Sequence, residues 1–354
     1  PRTAGRTSAT AAVGPRTGRV LWQRTLEGAV VPGAAVGVDG SVLQASNGGV
    51  LHALDPATGR DRWTYDAGSA YGSDLSATPA VLADGTVLWP GPGSALIALT
   101  PAGRLLWREE LDGFVLSPAV VGSRVYVATS TGTVTAWDVT GPQRHRAWTH
   151  RLGGTSYSSP AVAPDGTVLV ASDRTVTALA DRGRSASVRW RYRARDTIEV
   201  SLAVGDEGTV VVGTNGDDEI GLRPDGSVRW RFEKGDWSYS SPVVRDGRAY
   251  FGDHLGYLDV VDVGTGRELH RDLGIPKERG TTSSGTGVWT APLVDSAGNV
   301  FFGTAAGHVY GFGADGRRLW DLDTGAVVAS YPALTADGTL VIGSTNGTVY
   351  GLRD

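Results

Sequence analysis

One feature constrains this chain above all others: a unit of about 40 residues recurs along its whole length, and a period of that size is the mark of a repeat architecture. Each copy reads, in order, a small residue and Pro, a short apolar strand, a DG-like turn, a Val-rich strand, a Gly loop, a third strand ending near LD, a TG-like turn, and Trp. The clearest copy is SSPAVAPDGTVLVAS, which leads on to Trp190. The proline column holds Ala34, Pro79, Pro118, Pro160, Leu202, Pro242, Pro292 and Pro332, and the closing column holds Trp22, Trp63, Trp107, Trp148, Trp190, Trp230, His270 and Trp320. Each column has eight members. A unit this short cannot bury an apolar face alone, so neighbouring copies must stack into one continuous core. The expected fold is all-β, an eight-bladed β-propeller of four-stranded antiparallel blades that takes up residues 1–354 as a single domain.

The register also predicts how the ring closes. The last unit ends at Asp354 after three strands, while Trp22 in GRVLW has no complete unit before it. Residues 13–24 are therefore expected to form a closing strand on GTVYGL of the last unit, which satisfies two otherwise open edges. Residues 1–12 read as a polar tail. Asp39-Gly40, Asp84-Gly85, Asp165-Gly166, Asp246-Gly247 and Asp337-Gly338 suit two-residue hairpins with positive φ.

Composition narrows the function classes. Gly, at 51 residues, is about twice its usual share and fits many tight turns. There is no cysteine, so thiolate metal sites and thiol nucleophiles are excluded. The net charge is −4 and no Lys/Arg block stands out, so nucleic acid is not an expected partner. No apolar run approaches the roughly 20 residues of a membrane span. The start at Pro1, polar and without Met, fits either removal of an export signal or a chain trimmed at this point, and an extracytoplasmic or secreted location is the expectation.

The repeated Pro, DG, Gly, LD, TG and Trp columns resemble the pyrroloquinoline-quinone-like (PQQ-like) β-propeller repeat family over nearly the full chain. Proteins of that family include quinone-dependent alcohol dehydrogenases, an outer-membrane assembly lipoprotein of bacteria, and extracytoplasmic sensor domains of kinases. The resemblance implies the fold and leaves the function open. Quinone dehydrogenases stack an adjacent disulfide on their cofactor, and with no Cys here that chemistry does not carry over. No cofactor is expected. Calcium, which the oxygens of NGDDE (Asn215 to Glu219) could ligate, competes with the plainer reading of a solvated turn, and no metal site is assigned.

Departures from the repeat point to a site. Three positions before the proline column the ring reads Val31, Ser76, Val115, Tyr157, Glu199, Tyr239, Trp289 and Ala329. Four consecutive units thus bring Tyr, Glu, Tyr and Trp to one sector of a central funnel. Thr78, Ser117, Ser159, Ser201 and Ser241, one position before the column, read as hydroxyls that satisfy backbone at the rim. Trp237, Asp253 and His254 are expected on the same face. Two long loops add Lys277, Glu278 and Arg279 from one side and Tyr71 and Asp74 from another. GFGADG, although it matches GxGxxG, precedes a strand and reads as a hairpin turn.

Two functions compete for this surface. One is an exported binding or scaffold module that takes a peptide, glycan, small molecule or protein partner through Tyr157, Glu199, Trp237, Tyr239, His254, Lys277, Arg279, Trp289, Tyr71 and Asp74. The other is a lyase, hydrolase or isomerase of a carbohydrate or natural product, with Glu199 and His254 as acid and base and Arg279 or Lys277 stabilising an anion. A sensor domain of a larger receptor is a third reading. Trp89, Trp137, Trp237 and Trp289 lie outside the closing column and lack its structural explanation.

Overall fold

The computed structural model describes residues 11–71, 77–271 and 287–354. Thirty-two strands form eight four-stranded antiparallel sheets, and no helix occurs among the described residues. Blades 1 to 8 begin with the inner strands Ala35–Val36, Ala80–Val81, Ala119–Val121, Ala161–Val162, Ala203–Val204, Val243–Arg245, Leu293–Val294 and Ala333–Leu334. Every proline-column residue immediately precedes one of these. Proline suits that place because its missing N–H is not needed before the first ladder bond.

The outer strands of blades 1 to 7 are Asp61–Asp66, Leu105–Glu110, Gln143–Arg151, Ala186–Arg193, Val228–Glu233, Glu268–His270 and Arg318–Asp323. Blade 8 takes its outer strand from the other end of the chain. Val20–Thr25 pairs antiparallel with Thr348–Leu352, placing Trp22 opposite Gly351 and Thr25 opposite Thr348. Arg24 and Glu27 then reach blade 1, where Arg24 pairs with Asp61 and Glu27 with His52. The stretch before the strand is tied to blade 7, since Gly14 N–H donates to Asp295 and Pro15 accepts from the Trp320 indole. Closure therefore extends slightly beyond the expected 13–24, from blade 7 to blade 1.

One local device repeats in all eight blades. The outer strand slips by one residue just before its closing-column residue, a β-bulge that re-aims the ring. Opposite the tryptophans stand Ala53, Ala98, Ala136, Ala178, Gly221, Gly311 and Gly351, small enough to lie beneath an indole. A Cβ on Gly311 would fall 2.3 Å from Trp320. Blade 6 departs on both sides of the pair, with Val260 opposite the smaller ring of His270.

Most of the indoles join their blade to the next. Trp22, Trp63, Trp190 and Trp230 donate to the carbonyls of Pro56, Pro101, Pro224 and Val263 at 2.7–2.8 Å, each in the following blade. Trp148 donates to the Asp181 carboxylate in blade 4. Trp230 is 6% exposed and lies over Gly266, which has φ +71 and no room for a Cβ. Trp230→Ala removes both the filling of this gap and its hydrogen bond, and should cost about 3–5 kcal/mol in urea unfolding. Trp230→Phe should cost about 1 kcal/mol if the lost bond dominates.

Two readings of the sequence need correction here. Of the five Asp-Gly turns only Asp246-Gly247 has positive φ at both residues, while Asp39, Asp84, Asp165 and Asp337 keep negative φ before a left-handed glycine. There the loop is longer than two residues; around Gly40, for example, Gly37 N–H bonds Ser41 C=O and Gly40 N–H bonds Gly37 C=O. Trp89 and Trp137 are core residues, 0% and 4% exposed. GFGADG is a turn, with Gly313 N–H bonded to Arg317 C=O.

Candidate functional site

The loops leading into the inner strands converge on a central cavity of about 720 Å³. Seven of the eight residues three positions before the proline column line it: Val31, Val115, Tyr157, Glu199, Tyr239, Trp289 and Ala329. The eighth, Ser76, lies outside the described residues. Tyr157 and Tyr239, on blades 4 and 6, are each 44% exposed, and Glu199 on blade 5 stands between them in the ring order. In this column one side of the funnel is aromatic and acidic, while the other carries Val31, Val115 and Ala329.

The hydroxyl column has the structural task expected of it. Thr78 N–H donates to Ser117 Oγ at 2.8 Å, Ser159 N–H to Ser201 Oγ at 3.2 Å, and Ser201 N–H to Ser241 Oγ at 3.1 Å. Each bond crosses from one blade to the next, which satisfies inner backbone and leaves the larger side chains to face the cavity. Tyr331, at the same position in blade 8, also lines the funnel and sits beside Gly33 of blade 1. It was missed, although a Tyr in a column of Ser and Thr was readable as a departure.

An aromatic train supports the acidic sector from behind. Trp289 meets Tyr239 edge-on at 6.0 Å, Tyr239 meets Trp237 edge-on at 4.8 Å, and Trp237 stacks on His254 at 3.9 Å. His254 is thus 7% exposed, behind Trp237 and away from the cavity lining. Of the Glu199 and His254 pair of the enzymatic reading, Glu199 lines the cavity and His254 does not. Tyr71 is likewise drawn into the core, where its hydroxyl donates to Pro90 C=O and its ring packs on Trp89. Burial raises its pKa, so it stays a neutral donor. Asp74, Lys277, Glu278 and Arg279 lie outside the described residues.

Beneath the Trp237 loop lies a charged cluster that the sequence reading missed. Lys234 Nζ sits 3.6 Å from Glu219 and donates to Thr214 C=O at 2.9 Å, and both charged side chains are almost wholly buried. Glu219 was expected in a solvated turn. Its place in the third strand instead corresponds to Leu51, Leu96, Val134, Val176, Leu258, Val309 and Val349 in the other blades, all 0–1% exposed. Of the oxygens considered for calcium, Asp218 is bonded to Arg231 and Glu219 is paired with Lys234. Burial raises the Glu219 pKa against the pull of Lys234, and it pushes neighbouring Asp259 up to about 7 against Arg271. Neither carboxylate oxygen of Asp259 has a hydrogen-bond partner.

Comparison with known proteins agrees with the propeller fold. The family profile described as outer membrane protein assembly factor BamB, a PQQ-repeat profile, matches residues 6–88, 67–179, 92–203 and 184–325. The chain belongs to this PQQ-repeat family. Among curated members, the serine/threonine-protein kinase AfsK of Streptomyces griseus is 39% identical over 100 residues, which are 25% of this chain and 12% of the kinase. BamB of Burkholderia pseudomallei is 34% identical over 119 residues, 33% of this chain and 29% of that protein. BamB of Yersinia pestis is 25% identical over 152 residues, 39% and 38% of the two chains. The chain spans well under half the length of each of these relatives.

Solved structures show the same fold over nearly the whole ring. The crystal structure of BamB from Moraxella catarrhalis superposes with a TM-score of 0.74 at 17% identity, covering 95% of this chain and 99% of that one. Sqt1 of Saccharomyces cerevisiae gives 0.78 at 11% identity, with 96% and 100% covered. At 11–17% identity these structures share the ring alone, so the funnel is read from its own side chains.

Proposed function

We propose that this chain is an extracytoplasmic binding module whose funnel holds a polypeptide segment presenting a basic side chain. The observation that carries the reading is the sector formed by Tyr157, Glu199, Tyr239 and Trp289, in which two exposed tyrosines flank a carboxylate on a cavity whose remaining lining, apart from Tyr331, is aliphatic or short and hydroxylated. Aromatic faces attract a Lys or Arg head through their quadrupoles, and a half-buried carboxylate adds a charge-assisted bond. The remaining Val and Ala surface suits the aliphatic stem. A scaffold role among envelope proteins agrees with relatives named as outer membrane assembly factors, and none of its steps needs an acid and base pair.

The test is calorimetric titration of the protein with decapeptides carrying one central Lys or Arg, drawn from a mixed library and resynthesised. Glu199→Gln and Tyr239→Ala should each weaken the best binder at least tenfold, about 1.4 kcal/mol or more, with unchanged thermal unfolding. Binding that is indifferent to both substitutions, or an equal preference for acidic peptides in this site, would refute the reading.

A further inference from the structure

A second surface of opposite sign lies on the outer edge of blade 4. The sequence suggested no basic block, yet six arginines and no Asp or Glu occur from Arg182 to Arg195, and all six are exposed. The outer strands of blades 3, 4 and 8 contain no acidic residue, but in blade 3 Arg144 and Arg146 are paired with Glu109 and in blade 8 Arg24 is paired with Asp61. The blade 4 strand, Ala186–Arg193, is eight residues long, against nine in blade 3 and three to six in the others. Arg189 is paired with Asp165, and Arg195 lies 3.9 Å from Asp218. Arg182, Arg184, Arg191 and Arg193 have no carboxylate within 4 Å among the described residues.

Their arrangement is linear. Arg191 and Arg193 stand opposite Thr177 and Thr175, on the face away from Trp190 and Tyr192. Alternate residues of a strand are about 6.5–7 Å apart, which is also the spacing of alternate side chains in any other extended chain. The strand is the last of its sheet, so one row of its backbone groups is unpaired. The aromatic residues between the arginines are already engaged: the Trp190 indole donates to Pro224 C=O, and Tyr192 accepts from Arg231. No platform for stacking nucleobases remains. None of the exposed large apolar side chains lies on this edge, so a bilayer would find no anchor.

We infer that the outer edge of blade 4 docks an extended acidic polypeptide whose Asp or Glu side chains alternate, through Arg191, Arg193 and the flanking Arg182, Arg184 and Arg195. Guanidinium forks bind carboxylates bidentately, and the open strand edge favours a partner in the extended form. This surface is distinct from the funnel and selects the opposite charge, so the two proposals fail independently.

The experiment is fluorescence anisotropy of the full chain with a labelled decapeptide alternating Glu and Thr, at 150 mM salt. Binding should be at least fivefold tighter than for a peptide of equal composition with its glutamates in one block. Arg191→Glu with Arg193→Glu should weaken it at least tenfold, with thermal unfolding and funnel binding unchanged. Equal affinity for the block peptide, no effect of the double substitution, or tighter binding of single-stranded oligonucleotide or anionic phosphatidylglycerol vesicles would overturn the inference. So would the absence of binding.

Discussion

Deletion of residues 1–24 lowers the stability of the entire ring by about 5 kcal/mol or more, and the loss is read as one cooperative transition at lower denaturant. The size follows from what the segment holds. Trp22 is 8% exposed and fills the gap between blades 8 and 1, which alone is worth about 3–5 kcal/mol. The ladder to Thr348–Leu352, the ion pair from Arg24 to Asp61, and the bonds of Gly14 and Pro15 to blade 7 go with it. An open ring exposes the edge of Thr348–Leu352 and loses the Trp22 packing and the Arg24 pair between the first and last blades, so the remaining contacts between them, such as Ala34 N–H to Tyr331 C=O, are weakened with it. Hydrogen exchange that quickens only near residues 348–352, with global unfolding unmoved, would show a frayed end in place of an opened ring.

Glu219 and Lys234 give the second large effect. Removing either partner strands a charge in the interior, so Glu219→Ala and Lys234→Ala should each destabilise by about 3–5 kcal/mol. The combined change Glu219→Val with Lys234→Ala installs residues that equivalent blades carry, at Val134 or Val176 and at Ala67 or Ala194. It should be neutral or stabilise by about 1–4 kcal/mol, because a buried pair often does worse than apolar packing of similar volume. Such non-additivity in urea unfolding is the signature of direct coupling. If the loss in the double variant equals the sum of the two single losses, the pair is not coupled.

The same cluster sets a pH dependence. Asp259, raised from 3.8 to about 7 by burial, binds a proton more tightly folded than unfolded. Its contribution is complete below about pH 4 and is lost as pH rises through about 7, opposite to the usual carboxylate. Asp259→Asn should flatten that loss between about pH 4 and 7.

The ring itself was legible because each blade repeats its own punctuation: proline before the inner strand, glycine in the turns, and tryptophan on the outer strand. The funnel sector followed from the same register, since equivalent positions of a closed ring must face the same axis. Side-chain direction was not legible. Tyr71 and His254 were expected at the rim, and each instead filled a space left by a neighbouring ring, Trp89 and Trp237. Glu219 was hidden by its neighbours, for NGDDE resembles a solvated turn until the column of buried aliphatics beside it is compared. The arginines of blade 4 escaped notice because a balanced total charge conceals a one-sided edge.

The most direct measurement is hydrogen–deuterium exchange of the protein with and without a bound basic decapeptide. The predicted result is protection confined to the loops that carry Tyr157, Glu199, Tyr239 and Trp289, with the outer strands unchanged. Protection of blade edges alone, or of loops on the opposite face, would contradict a funnel whose aromatic and acidic sector does the binding.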